Sequence, residues 1–194
     1  MIIYNVAVVN RGLIRRGVVT IHDRRIAAVS YATDGRLPEG IKEKYPDAVI
    51  IDGNGAYLMP GVIDTHVHFR DLGLTDKADM ATESSAAVAG GVTACIDMPN
   101  TIPQTTSITR WEDKMAHADG RSKANYAFFI GVATDNMDQL LAADYTRVAG
   151  IKLFLGSTTG DMMVSDGTLI ERLLADAPCP VVVHAESEKV IQDN

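Results

Sequence analysis

The sequence predicts an α/β fold in two parts: a small β-domain over residues 1–55, expected to be the N-terminal part of a β-sandwich, then, over 56–194, the first five strand–helix units of a (β/α)8 TIM-like barrel. Three observations carry this. Residues 1–55 hold short β-branched runs with no helical period. From residue 56 onward, strand-like and helix-like runs alternate. The strands of that second part are apolar along their length, as in a parallel sheet covered on both faces.

In the first part the strands are IIYNVAVVN, GVVTIHD, RIAAVS and AVIID. The charged stretch DGRLPEGIKEKYPD between the last two reads as a loop or a short helix. In the second part VIDTHVH is the first strand. The Ala-rich run KADMATESSAAVAGG follows as a helix closed by its Gly pair. VTACIDM is the second strand. SITRWEDKMAHADG is the next helix, with Ser107 as N-cap and Gly120 as stop. NYAFFIGVA, GIKLFL and PVVVHAE are the third to fifth strands. NMDQLLAAD and DGTLIERLLADA are the helices between them, and SEKVIQDN begins another. Units of roughly 30 residues suit a closed barrel or an open doubly wound sheet. A complete barrel takes about 250 residues. On the barrel reading the polypeptide is expected to continue past Asn194, and a chain ending there to leave the fifth strand's edge open and be inactive.

Acidic residues outnumber basic ones 25 to 18, for a formal charge of −7. That field disfavours nucleic acid or an anionic membrane as partner and does not forbid a local basic site for a small anion. MIIYNVAVVNRGLIRRG holds no apolar run long enough for a signal peptide or a membrane span, so a cytoplasmic protein is expected. Cys95 and Cys179 lie far apart in apolar contexts and are expected to be reduced and buried.

Two of the five histidines stand two apart in GVIDTHVHFRD. Alternate strand residues share a face, so His66 and His68 project together, and Arg70 joins them if the strand continues. They fall at the C-terminal end of the first barrel strand, the end that carries the active site in barrel enzymes. Two neighbouring imidazoles repel when protonated and are costly to bury unpartnered. A divalent metal resolves both problems, and zinc takes neutral imidazole nitrogen readily. His184 ends the fifth strand, and Lys152 sits inside the fourth between Ile, Leu and Phe, where a lysine is rarely buried without a partner. Taken singly, each has a plainer reading: a hydrogen-bonded core histidine, or a lysine snorkelling at a strand edge. Their convergence at one end of one sheet is the stronger signal. His22 reads as a surface residue, and His117 as a cation near a helix C-terminus.

These residues carry a resemblance. DGNGAYLMPGVIDTHVHFRD is similar to the segment that leads into the barrel in the amidohydrolase superfamily. HVHFR (66–70), DMPNT (97–101) and GIKLFLGSTTG (150–160), followed by VVVHAE, resemble dihydroorotases in particular. The resemblance implies a binuclear site of two divalent ions, zinc in most members. His66 and His68 would bind one ion and His184 the other. Lys152, carboxylated by CO2, would bridge them. A carbamate is an anionic oxygen ligand, and forming it needs the neutral amine that burial favours. A bridging water, acidified by the metals, would attack the ring amide of dihydroorotate. The reverse reaction closes N-carbamoyl-L-aspartate in pyrimidine biosynthesis. Arg70 and Asn100 would hold the substrate carboxylate, Arg70 through its planar fork. Thr158 or Thr159 of the following loop would contact substrate or serve only as connection. The general base, an aspartate, and a further metal-ligating histidine are expected beyond residue 194. Dimers are common in the family, so a homodimer is a further expectation.

Three other readings compete. An allantoinase or dihydropyrimidinase type shares the metal set, but has no evident use for a guanidinium at Arg70. A non-catalytic, dihydroorotase-like partner protein would bind little metal. An open α/β binding protein would hold Lys152 and His184 far from His66.

Overall fold

The computed structural model describes all residues except Ala32, Thr33, Thr159, Asp161 and Asn194, and the backbone alone at Glu188 and Lys189. The chain divides into two compact units, Met1–Pro60 and Gly61–Asn194.

In the first unit, β1 (Ile2–Asn10), β2 (Leu13–His22) and β3 (Arg25–Tyr31) form an antiparallel meander. Both hairpin turns have two residues at positive φ: Arg11 and Gly12 at 50° and 73°, Asp23 and Arg24 at 47° and 62°. Such turns match the right-handed twist of the strands they join. The charged loop contains one helical turn, α1 (Ile41–Lys44). β4 (Ile50–Asp52) and β5 (Tyr57–Leu58) then both pair in parallel with β1. Val6, Val8 and Val19 form the core of this sheet. β2 begins four residues before the predicted strand, because the exposed run LIRR continues the pairing with β1.

The second unit alternates β6 (Val62–Val67), α2 (Met80–Ala89), β7 (Val92–Asp97), α3 (Ile108–Ala118), β8 (Asn125–Gly131), α4 (Met137–Leu141), β9 (Gly150–Phe154), α5 (Gly167–Asp176), β10 (Val181–His184) and α6 (Glu188–Gln192). Helices α2, α3 and α5 each start on a side-chain cap. Asp79 accepts from the Thr82 amide, Ser107 from the Arg110 amide, and Asp166 from the Thr168 amide. The strands are parallel and lie in chain order, β6 to β10. A doubly wound sheet reverses its order at a switch point, whereas a barrel adds each strand beside the last. The order therefore decides for the first part of a barrel. Trp111, Phe128, Ile130, Ile151, Leu153 and Leu173 are central to the core. Trp111 also donates its indole N–H to the Phe128 carbonyl at 3.2 Å.

One expectation fails. β6 reads as a covered apolar strand, but Val62 and Ile63 are 51% and 62% exposed. β6 pairs with β7 alone among the described strands. Cys95 is buried as expected, while Cys179 is only half-buried.

Candidate metal centre

His66 is the penultimate residue of β6, and His68 follows the strand's last residue. Their ring centroids lie 5.3 Å apart. Lys152 is central in β9, paired with Val182 of β10 and Gly131 of β8. It is completely buried, and its Nζ has no hydrogen-bond partner among the described residues. The nearest aromatic face is Phe154, 4.9 Å from Nζ to ring centroid. His184 ends β10 opposite Phe154, their ring centroids 5.9 Å apart.

Electrostatics tie these groups together. Desolvation is the largest influence on His66 and lowers its pKa. The charges of Lys152 and His184 push the same way, and Asp64 pushes against them. Desolvation also lowers the pKa of His68, with Arg70 adding to the effect and Asn100 opposing it. Burial alone lowers that of Lys152. All three shifts favour neutral nitrogen, the form that can ligate a cation or, for the amine, react with CO2.

Among the described residues, no group of three or more His, Cys, Asp and Glu side chains is arranged to hold a metal ion. The donors gathered here fit a metal pair on one condition. The orphaned amine of Lys152 must become an anionic oxygen donor, since an ammonium repels a cation. Its burial without a partner is the observation consistent with that conversion.

Asn100 follows β7 and is buried. Its Oδ1 accepts from His68 Nδ1 at 2.8 Å, and its Nδ2 donates to Thr158 Oγ1 at 3.4 Å. Thr158 thus meets Asn100, while Thr159 lies outside the described residues. Arg70 does not arrive by strand alternation. β6 stops at Val67, whose carbonyl accepts from the Met98 amide at 3.0 Å. The Phe69 amide then turns to the Asp97 carboxylate at 2.9 Å. Arg70 follows in the left-handed region, at φ 64°, and its charge reaches His68 from there.

Sequence reasoning missed three features. Lys114 is fully buried against Asp97, Nζ to Oδ2 2.7 Å. The signal was present: Trp111, Lys114 and Ala118 share one helical stripe, so Lys114 points into the core. His117 lies in the last turn of α3, near the C-terminus as expected, and also bonds Asp71 at 3.0 Å. Glu186, two residues past β10, stands with its carboxylate 3.1 Å from His184 Nε2. His22 is exposed beside Asp23. No described helix is long and apolar enough to cross a membrane.

Residues 55–173 match the family described as dihydro-orotase-like. A dihydroorotase of Methanosarcina acetivorans is 36% identical over 73% of this chain and 31% of its own length. An allantoinase of Solibacter usitatus is 34% identical over 94% of this chain and 39% of its own. Among solved structures, the L-hydantoinase (dihydropyrimidinase) from Arthrobacter aurescens superposes with a TM-score of 0.83 at 30% identity. It covers 99% of this chain and 42% of that one. The chain thus spans about two fifths or less of the length of these relatives.

Proposed function

The chain belongs to the dihydro-orotase-like family, and from that premise we propose that it carries part of the active site of a metal-dependent dihydroorotase. The reaction is the reversible opening of dihydroorotate by water to N-carbamoyl-L-aspartate. The observation that carries the choice of substrate is Arg70, held beside His68 at the end of β6. An uncharged ring gives a guanidinium nothing to pair with, whereas the carboxylate of dihydroorotate matches its fork.

His66 and His68 would hold one divalent ion, His184 a second, and carboxylated Lys152 both. Imidazole and carbamate donors suit zinc. Such a pair, when bound, supplies Lewis acidity toward the ring carbonyl and lowers the pKa of water. The chain's own residues prepare for it. The Asn100 carbonyl keeps the His68 proton on Nδ1 and leaves Nε2 as a lone-pair donor. The Asn100 amide keeps an N–H beyond the one given to Thr158, available to a ligand carboxylate. Burial keeps the Lys152 amine nucleophilic toward CO2. The same reading carries a cytoplasmic location and, from the family, a homodimer.

A second reading has support of its own. The L-hydantoinase structure matches nearly the whole chain, and an allantoinase nearly as much. Turnover separates the three. The complete protein, assayed on dihydroorotate, a 5-substituted hydantoin and allantoin, with and without chelator, should turn over dihydroorotate best and lose that activity on metal removal. Preference for either uncharged ring would overturn the assignment of substrate. Chelator-insensitive turnover would overturn the metal centre.

A further inference from the structure

We propose that α3 is a template for the residues that meet substrate: Lys114 and His117 hold, through Asp97 and Asp71, the backbone on either side of Arg70. They are positioning residues, and the proposal rests on the reading of Arg70 as the carboxylate ligand.

Lys114 and His117 lie three apart on α3 and so on neighbouring positions of one face. Lys114 Nζ has two short polar partners, the Asp97 carboxylate at 2.7 Å and the Met98 carbonyl at 2.9 Å, and lies 4.7 Å from the Phe128 ring centroid. The other Asp97 oxygen accepts from the Phe69 amide at 2.9 Å. The Met98 amide donates to the Val67 carbonyl at 3.0 Å. Both chain neighbours of His68 are therefore fastened to the end of β7. Beyond Arg70, Asp71 does the same. One of its oxygens accepts from His117 Nε2 at 3.0 Å and the other from the Met80 amide, at the start of α2, at 3.1 Å.

Buried ion pairs are poor stabilisers, because desolvation offsets most of their attraction. A fully buried lysine on a helix stripe otherwise made of Trp and Ala needs another explanation. The position of the pair supplies it. Phe69 and Asp71 are both buried and both tied down, and Arg70 between them stands at positive φ. A non-glycine residue keeps that conformation only where its surroundings over-determine it. Here the surroundings are two carboxylates, each gripped by one side chain of α3.

The test uses Lys114→Met and His117→Ala in the complete protein. The second changes a partly exposed side chain and serves if the first does not fold. N-carbamoyl-L-aspartate and the uncharged dihydrouracil are the binding probes. Each variant should weaken binding of the charged probe about tenfold, as expected for a displaced anchor, and leave the neutral probe within twofold. Amide exchange should quicken at Phe69 in Lys114→Met and at Met80 in His117→Ala. Equal weakening of both probes, or none, would overturn the template. Should the parent protein show no preference for the charged probe, the reading of Arg70 falls. Unchanged exchange at Phe69 and Met80 would then sink the template on its own account.

Discussion

Asn100 Oδ1 lies 2.8 Å from His68 Nδ1, and an amide oxygen can only accept, so the contact fixes the tautomer of the imidazole. Nδ1 carries the proton and Nε2 keeps its lone pair. The outer partner of a metal-binding histidine commonly has this role. Asn100→Ala should therefore lower zinc affinity by about tenfold or more, measured by competition with a chromophoric chelator. Unchanged affinity would mean that Asn100 serves the substrate alone.

Lys152 gives a pH dependence whose sign can be worked out. Burial lowers its pKa in the folded state from the ordinary 10.5. The unfolded chain therefore binds more protons between the lowered value and 10.5, and in that window stability rises with pH. The stability is reduced below the window and recovered toward its upper end. In metal-free, CO2-free buffer, Lys152→Met should be more stable than the parent near neutral pH, by on the order of 1 kcal/mol. That advantage should shrink toward pH 10.5. Urea unfolding across the range checks this. An advantage independent of pH would show that the folded and unfolded chains bind the amine proton alike, and that burial does not lower its pKa.

Arg70 joins function to backbone strain. At φ 64° its side chain crowds its own backbone by roughly 1–2 kcal/mol relative to glycine. Arg70→Gly should raise stability by up to about 1 kcal/mol, while the KM for dihydroorotate rises roughly a hundredfold. Arg70→Met should raise KM similarly without the gain in stability. A KM left intact in both would remove the carboxylate from Arg70.

Much of this site was legible because strands have a short period and barrels a fixed active end. His66 and His184 fall at or near the C-terminal ends of apolar runs and Lys152 in the middle of one, and parallel strands in chain order bring those positions side by side. The chain order itself was not legible, since helix and strand spacing alone also allows a doubly wound sheet. Arg70 was placed on the face of His68 on the condition that the strand continued, and β6 stops at Val67 before reaching it. What ends β6 is a contact from Asp97, a residue 28 positions later. The pairing of Lys114 with Asp97 was hidden for a similar reason. A helix stripe shows that a lysine points inward, but not which carboxylate awaits it.

Glu186 supplies the last prediction. Its carboxylate stands 3.1 Å from His184 Nε2, beside the ring at the end of β10. Gly156, two residues past β9, leaves the room for it. A Cβ on Gly156 would stand 2.7 Å from Glu186 Cβ and 3.3 Å from its Oε2, closer than packed atoms tolerate. Gly156→Ala should then force Glu186 aside and cost about 1–3 kcal/mol. The clash is specific, so its origin can be isolated. In a Glu186→Gly background the same Gly156→Ala change meets no Cβ and should cost less than half as much. A double-mutant cycle by urea unfolding measures the difference. A coupling energy near zero would mean that Gly156 is required by its backbone and not by Glu186.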